Sequence, residues 1–510
     1  MKEKVIICIS TISILLLISG IVFVNYFHYN DYKDLFKIVN SKINDNASKN
    51  VSLSEYMYDY KHEELGISEK ELSYITTASD STSFSDGNDL ITLNKSDAIS
   101  DIEFLFNLFK YSYAGYSYFG GDDIFRRAQK SIVESINMYP GETIDSNKLE
   151  MLIIKNTEFI QDGHFQINCK SPLKKYTYYS NEDICVKKSR NEYYINEKGE
   201  KWYINTINDS YDFDDYLKLS INPEGELCYY LGKLDNTNNS IKIKLNLKSK
   251  NNQIEKFVRL KKCDSASSYS YNDKYSYEHD EEKGIPIVTM RRMHDVDSKD
   301  KSIELFSKSA IELKNKPAII LDIRGNYGGQ SIGALNWFKN FIGEMPQIES
   351  ESIQLCSLIN NYITQMAIKN IDYDKLTTEL KDEYNKELKR SNSNSNKWYI
   401  SKTEEKRHKN DTKIFVIVDD KVASTGEEFI SYLKTLENIV VVGTNTSGSL
   451  LSNIYIRSQL PNSHINISFG NIITANKDFE EGKGFQPDVW IGNGDSLDRV
   501  LKLILKAPKI

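Results

Sequence analysis

The sequence has little cysteine, little proline and no excess of positive charge, and each shortage excludes a class of protein. Six cysteines and nine prolines in 510 residues rule out a disulfide-rich scaffold, a collagen-like repeat and a proline-rich tract. The 65 Lys and Arg residues are outnumbered by 72 Asp and Glu residues, and the net charge of −7 argues against a dedicated nucleic-acid-binding protein. With 40% hydrophobic residues and a mean hydropathy of −0.50, the chain is neither disordered nor a multi-spanning membrane protein. No two cysteines have C-x-x-C spacing, and a disulfide between Cys169 and Cys185 is left open.

One stretch near the start departs from this polar average. Residues 5–24 contain no charged residue, and as a helix they would span about 30 Å, the thickness of a bilayer core. Lys2 and Lys4 precede the run, so the positive-inside tendency places the N-terminus in the cytoplasm. The residues after the run lack a small-residue cleavage site, and Cys8 lies inside the run rather than after it, which favours an uncleaved signal anchor over a signal peptide or a lipoprotein. We therefore expect residues 1–27 to form a cytoplasmic tip and one transmembrane helix, with the bulk of the chain extracytoplasmic at the cell membrane.

The rest of the chain divides by composition and by hydrophobic period. Residues 28–95 are polar and predict a stalk or linker. Residues 96–169 have the apolar spacing of helices and predict an N-terminal helical lobe, whereas 170–282 alternate with period two and predict a small β module. From 283 to 510, buried-strand and helix patterns alternate, which is typical of a mostly parallel α/β sheet; a helical insertion is expected at 351–411.

The α/β region contains a glycine-rich turn that could bind an anion. Residues 321–329, Leu-Asp-Ile-Arg-Gly-Asn-Tyr-Gly-Gly, leave a buried strand and reach a glycine pair before a helix, where backbone N–H groups can face a negative charge. The segment has neither the G-x-G-x-x-G nor the G-K-[ST] pattern of a nucleotide site. A tight turn that merely closes the sheet explains it equally well.

Two further segments have residues suited to catalysis. Ser424 follows a buried strand and starts the next helix, and Glu427 completes a capping box, so an ordinary helix cap explains the serine. The functional alternative is a nucleophile near which the helix N-terminus and the Thr425 N–H stabilise developing negative charge. The third segment, 479–488, places two glycines and a proline after a strand; a polar surface loop is its alternative.

Together these segments resemble the C-terminal-processing-peptidase and tricorn-core family of serine peptidases. The matching features occur in the family's order: the strand end 321–329, the Ala-Ser-x-Gly-Glu turn 423–427, the Gly-Thr pair 443–444 and the Glu-Gly-x-Gly-Phe-x-Pro-Asp close 481–488. The resemblance covers about residues 100–165 and 285–505, with a weaker match between them. It implies an α/β core of the crotonase/Clp-like fold and hydrolysis of peptide bonds by Ser424, with no metal ion and no organic cofactor.

The family has two kinds of base for such a serine. In the processing peptidases it is a lysine, followed by a glutamine, but Ser449 and Asn453 stand at those positions here. In the tricorn-like branch a histidine from the N-terminal part and a glutamate complete a triad, and His164, in an Asp-Gly-His motif, and Glu481 match them. The resemblance implies that His164 takes the Ser424 proton and that Glu481 orients the imidazolium, directly or through another side chain.

The resemblance also implies an oxyanion hole, formed by the backbone N–H groups of Gly328 or Gly329 and of Thr425. Alternatives to the triad remain open. They are Lys421 and Lys483 as fallback bases and Glu480 in place of Glu481.

The β module stands where many relatives have a PDZ-like domain, which would bind an extended peptide along a strand edge. No Gly-Leu-Gly-Phe-type loop is present, so a PDZ-like domain and another small β domain are both open.

The sequence leaves three candidate functions. The first is a membrane-anchored extracytoplasmic serine endopeptidase acting on peptides or proteins, and the second is a catalytically weak or inactive peptide-binding protein on the same fold. The third is a crotonase-like acyl-CoA enzyme, which an external location would deprive of CoA.

Overall fold

The computed structural model describes most of the chain after the expected anchor. The described residues are 32–43, 52–60, 74–77, 90–189, 192–250, 252–263, 276–297, 299–370, 378–394, 397–453 and 456–506. The transmembrane helix predicted within residues 1–27 lies outside them. Within the described ranges, no helix has the length and apolar composition to span a bilayer.

The described residues form helices at both ends of the chain and strands throughout. The α-helices are α1 Tyr32–Ile43, α2 Lys95–Ser112, α3 Gly121–Met138, α4 Ser146–Asn156, α5 Ser302–Leu313, α6 Ser331–Ile342, α7 Leu358–Asn370, α8 Thr378–Ser393, α9 Thr425–Leu433 and α10 Ser496–Leu505; a short 3-10 helix lies at Leu53–Tyr56. The strands are β1 Ile75–Thr77, β2 Thr92–Asn94, β3 Thr143–Asp145, β4 Gln166–Ile167, β5 Thr177–Ser189, β6 Glu192–Glu197, β7 Glu200–Ile207, β8 Leu217–Ile221, β9 Leu227–Asp235, β10 Ile241–Lys248, β11 Gln253–Lys262, β12 Tyr277–Glu282, β13 Ile285–Met290, β14 Ala318–Asp322, β15 Ser350–Cys356, β16 Lys397–Thr403, β17 Lys413–Val418, β18 Ile439–Gly443, β19 Ile456–Gln459, β20 Asn466–Phe469, β21 Ile472–Asn476 and β22 Val489–Trp490.

A mostly parallel sheet forms the centre of the C-terminal half. Its order is β12-β13-β14-β17-β18-β22, and every neighbouring pair except β12–β13 is parallel. Every residue of β14 and β18 is buried, which explains why their sequences are continuous apolar runs. Helices α5, α6 and α9 contribute to the core on one face, and α1 and α10 contribute to the core on the other. The expected mixed α/β fold is therefore present.

The small β module is an antiparallel sheet that closes on itself. Strands β5–β11 pair in the order β11-β10-β7-β6-β5-β9-β8, and β11 also pairs with β5. The described part of this module contains strands and no helix. The expected boundary at residue 282 differs from the structure, because β12 joins the central sheet through a tight hairpin with β13. The turn residues Lys283 and Gly284 both have positive φ, as a two-residue hairpin turn requires. Cys169 and Cys185 are free thiols, so the disulfide left open between them is not formed.

Helices α2, α3 and α4 form a lobe around a large aromatic core in the segment predicted to be helical. Its fully buried rings include Phe109, Phe125 and Phe165, and Phe469 from the C-terminal half joins them. Strand β4 follows α4 closely and pairs with β20, within a sheet of order β1-β19-β20-β4. The helical lobe and the C-terminal half therefore share both a core and a sheet.

The expectation that residues 28–95 form a polar stalk is wrong for the parts that the structure describes. The buried side chains of α1 recur at helical spacing; they are Tyr32, Leu35, Phe36 and Val39. They pack on the central sheet, where the Phe36 ring lies 5.1 Å from the Phe415 ring. Strand β1 pairs with β19. Although the composition of this region is polar on average, its described residues include an amphipathic helix and several short packed segments.

The described part of segment 351–411, where the sequence predicts a helical insertion, contains the helices α7 and α8. Strands β15 and β16 enclose them and form a sheet with β21, in the order β16-β15-β21. The insertion is thus joined to the C-terminal half by backbone hydrogen bonds as well as by its connections.

Candidate active site

Ser424 lies at the start of α9, in a strained turn after β17. Its backbone angles, φ +53° and ψ −123°, belong to a region that residues with side chains rarely adopt. Its N–H lies 3.2 Å from the Ser449 carbonyl oxygen and 3.1 Å from the Glu427 carboxylate, and it donates to both. An ordinary N-cap residue has extended backbone angles. Helix capping alone therefore does not account for this turn.

Glu427 fixes the backbone beneath the serine. It is fully buried, and besides Ser424 its carboxylate has three hydrogen-bond donors: the Thr446 hydroxyl at 2.6 Å, the Gly448 N–H at 2.7 Å and the Ser449 N–H at 2.8 Å. Burial raises the pKa of Glu427, and these hydrogen bonds oppose the rise. The sequence marks this residue only as a capping partner, because its other contacts lie about twenty positions away along the chain.

His164 reaches Ser424 from the loop that follows α4. Its Nε2 lies 3.2 Å from Ser424 Oγ, although the two residues are 260 positions apart. Burial lowers the pKa of His164 below 6.5, against the opposing charge of Asp162. The imidazole is therefore neutral near pH 7 and can accept a proton.

Glu481 meets the His164 loop through the backbone, not through the imidazole or another side chain. Its carboxylate accepts hydrogen bonds from three N–H groups, those of Gly163 at 2.7 Å, Leu450 at 3.0 Å and Leu451 at 2.8 Å. The buried Nδ1 of His164 has no hydrogen-bond partner in the described part of the chain. Burial and the nearby Asp162 raise the pKa of Glu481 to about 8, although the three N–H donors favour its ionised form. The role of Glu481 in a triad stays a prediction.

Asp162 is the second buried carboxyl group beside the histidine. One of its oxygens accepts a hydrogen bond from the Tyr113 hydroxyl at 2.8 Å, and the other accepts one from the His164 N–H at 2.9 Å. The Ser452 hydroxyl lies 2.8 Å from each of the two carboxylate oxygens. In the sequence, Asp162 is marked only as the first residue of the Asp-Gly-His motif. Its hydroxyl partners are 49 and 290 positions away, so no local spacing marks them.

Gly328 packs so closely against the serine turn that a side chain would not fit. A Cβ atom there would lie 2.8 Å from Ser424 Cβ and 2.9 Å from the Thr425 nitrogen. The Gly328 N–H donates to Asn326 Oδ1 at 3.0 Å. By contrast, the N–H groups of Gly329 and Thr425 have no hydrogen-bond partner among the described residues. Of the predicted oxyanion donors, these two are available to an anion, whereas Gly328 serves the site by its small size.

A buried charge network supports the loop that contains these glycines. Asp322, at the end of β14, accepts two hydrogen bonds from each of the Arg291 and Arg324 guanidinium groups. Burial raises the pKa of Asp322, but the two guanidinium groups outweigh this effect and lower it to about 2. The Asn326 carbonyl accepts the Ala423 N–H at 2.9 Å. The loop is therefore joined both to the sheet and to the residue that precedes the serine.

The alternative residues lie in other environments. Lys483 pairs with Glu480 at 2.7 Å, and Lys421 is exposed. Ser449, at the lysine position of the processing peptidases, contributes its backbone to the serine turn. Within the described residues, no three His, Cys, Asp or Glu side chains are grouped so that they could hold a metal ion.

Comparison with known proteins identifies the α/β half of the chain. Residues 284–491 match the model of peptidase family S41. The chain is a serine-type peptidase, and its α/β half resembles peptidase family S41. No curated protein matches the sequence.

Several solved structures match this chain at low sequence identity and with TM-scores below 0.5. Mature CPAF has 13% identity and a TM-score of 0.41, with 81% of this chain and 95% of that chain covered. The photosystem II D1 C-terminal processing protease has 11% identity and a TM-score of 0.32, with 78% and 93% covered. The tricorn protease has 13% identity and a TM-score of 0.30, with 80% of this chain and 35% of that chain covered.

The S41 match contains Ser424, Thr425, the glycine pair and Glu481, but it does not contain His164. The histidine belongs to the helical lobe that precedes the matched residues. The contact between His164 and Ser424 therefore depends on how the α/β half and the helical lobe pack together.

We expect Gly328→Ala to reduce kcat/KM at least roughly 100-fold, because the added Cβ would push against Ser424 and displace the oxyanion donors. Gly343→Ala is the matched control. Gly343 has nearly the same φ, +104° against +100°, but its Cβ would meet nothing within 4 Å. Steady-state kinetics of both variants, with thermal unfolding as a folding check, make the comparison. Equal losses in the two variants would show that backbone strain, not the contact with Ser424, causes the effect.

Proposed function

We propose that this serine-type peptidase is a membrane-anchored extracytoplasmic endopeptidase that cleaves peptides or proteins through an acyl-enzyme on Ser424. The observation that carries the proposal is the 3.2 Å contact between His164 Nε2 and Ser424 Oγ at a strained turn. His164 is the general base, and Glu481 completes the triad by fixing the His164 loop. The N–H groups of Gly329 and Thr425 form the oxyanion hole.

The reaction would proceed in two halves. Ser424 Oγ attacks the carbonyl carbon of the scissile bond while His164 Nε2 takes its proton. The negative oxygen of the tetrahedral intermediate accepts hydrogen bonds from the Gly329 and Thr425 N–H groups. His164 then gives its proton to the leaving amine, and the acyl-enzyme remains. A water molecule, deprotonated by His164, attacks the ester in the second half, and Ser424 is regenerated.

The location rests on the sequence. The uncharged residues 5–24 are long enough to span a bilayer, and Lys2 and Lys4 favour a cytoplasmic N-terminus. On this basis the catalytic lobes face the outside of the cell membrane.

The nucleophile can be tested with a fluorophosphonate probe, which forms a covalent bond to activated serines. We expect labelling of the wild type, no labelling of Ser424→Ala, and labelling of His164→Ala that is slower by roughly 100-fold or more. Ser431→Ala, a second serine on α9, is the control and should label like the wild type. Equal labelling of Ser424→Ala and wild type would refute the assignment. Probe labelling and peptide binding without Ser424-dependent turnover would favour the catalytically weak peptide-binding alternative.

The activity should depend on the protonation of His164. Because burial lowers the pKa of His164 below 6.5, kcat/KM should rise with pH through a midpoint below 6.5 and be near its plateau at pH 7. The measurement is kcat/KM for a fluorogenic peptide across the acid range. A midpoint in the range of lysine titration, with most activity kept in His164→Ala, would assign the base to another residue.

The anchor can be tested by fractionating cells that express the full chain or a chain lacking residues 1–27. We expect the full chain to stay with the membranes after a high-salt or alkaline wash and the shortened chain to be released, because a transmembrane helix is not removed by either treatment. Protease added outside intact cells, after the cell wall or outer membrane is removed, should digest the full chain because its bulk is expected outside the cell membrane. Full-length protein that washes off the membrane would contradict the anchor, and protection from external protease would contradict the orientation.

A further inference from the structure

The proposed triad leaves one electrostatic question open, namely which group stabilises the positive charge that forms on His164. A serine–histidine pair needs a negative charge near the imidazolium. The Nδ1 atom, where such a partner would bind, has no hydrogen-bond partner among the described residues. Two carboxyl groups, Asp162 and Glu481, lie close enough to compete for this role.

Asp162 is the carboxyl group that contacts His164 directly. Both of its oxygens face hydrogen-bond donors: the Tyr113 and Ser452 hydroxyls and the backbone N–H of His164 itself. Its side chain is fully buried, so water does not screen its charge. The 2.9 Å hydrogen bond from the His164 backbone N–H also joins Asp162 to the residue whose imidazole would become charged.

Glu481 is a poorer source of charge at neutral pH. Its carboxyl binds the backbone of Gly163, Leu450 and Leu451, and its pKa is raised to about 8 by burial and by Asp162. Two buried carboxyls that repel each other do not readily ionise together. A group whose pKa is raised in this way carries less negative charge at neutral pH than an ordinary carboxylate does.

We propose that Asp162 is the positioning residue that supplies the negative charge for the His164 imidazolium, and that Glu481 acts only by fixing the loop. Asp162 touches neither substrate nor reacting atoms; it acts through His164. The proposal rests on the proposed function, because it assumes that His164 is the base. It differs from the triad that the family resemblance implies, in which the glutamate has this electrostatic role.

The test compares Asp162→Asn with Glu481→Gln in the full chain and measures the fluorophosphonate labelling rate against pH. The ionisable groups that face His164 or its neighbours are Asp162, Glu481, Tyr113, Tyr118 and Glu427. In Asp162→Asn we expect the rate to fall roughly 100-fold and the acid midpoint to move to lower pH, because the imidazolium loses its counter-charge. In Glu481→Gln the rate should fall less and the acid midpoint should stay where it is in the wild type.

An unmoved acid midpoint in Asp162→Asn, or an equal downward shift in Glu481→Gln, would overturn the proposal. Tyr113→Phe is a structural control that removes one donor but keeps the charge, and its midpoint should stay near that of the wild type. If Asp162→Asn does not unfold cooperatively, Glu481→Gln decides alone, because a downward shift there would make Glu481 the charged partner. Absence of Ser424-dependent labelling in the wild type would instead contradict the proposed function, so the two failures are distinguishable.

Discussion

The site depends on one hydrogen-bond contact that joins two parts of the chain. His164, the proposed base, and Ser424, the proposed nucleophile, belong to different lobes, so the proposed pair needs both lobes. Several interactions cross the same boundary. Strand β4 pairs with β20, Asp162 accepts the Ser452 hydroxyl, and Glu481 joins Gly163 to the backbone of residues 450–451. Catalytic geometry is sensitive to displacements of about 1 Å, so these directional bonds restrain the contact in a way that apolar packing alone would not.

The serine turn is surrounded by buried carboxyl groups that are bound mainly by backbone N–H groups and hydroxyls. Among the described residues, Asp162, Glu427 and Glu481 have no buried cation as a hydrogen-bond partner, whereas Asp322 has two guanidinium groups. Taking such groups out of water costs free energy unless their hydrogen bonds are complete. This arrangement strengthens interactions within the site, because the low dielectric of the interior screens them little.

Local sequence patterns predicted the strands and helices of the α/β half better than they predicted the structure of residues 28–95. Apolar runs such as those of β14 and β18 are readable because strands buried on both faces leave no room for polar residues. Ser424 and the glycine pair could be located because their turn chemistry is local. The contacts of Asp162 and Glu427 could not be predicted from the sequence, because their partners lie up to 290 positions away along the chain. Only folding brings these residues together. The prediction for the region around α1 was wrong because the four buried apolar side chains of α1 lie in a long segment that is polar on average.

If residues 5–24 span a membrane as proposed, the packing of α1 on the central sheet limits the distance between the enzyme and the bilayer. The uncharged run ends at residue 24 and α1 begins at Tyr32, so eight positions (32 − 24) join them. Even fully extended, such a connection reaches only about 30 Å. With the run in the membrane as proposed, the central sheet is held on a short tether close to the lipid surface. Proteins in the same membrane would then have a high local concentration near the enzyme. This favours, as substrates, polypeptides attached to or emerging from that membrane.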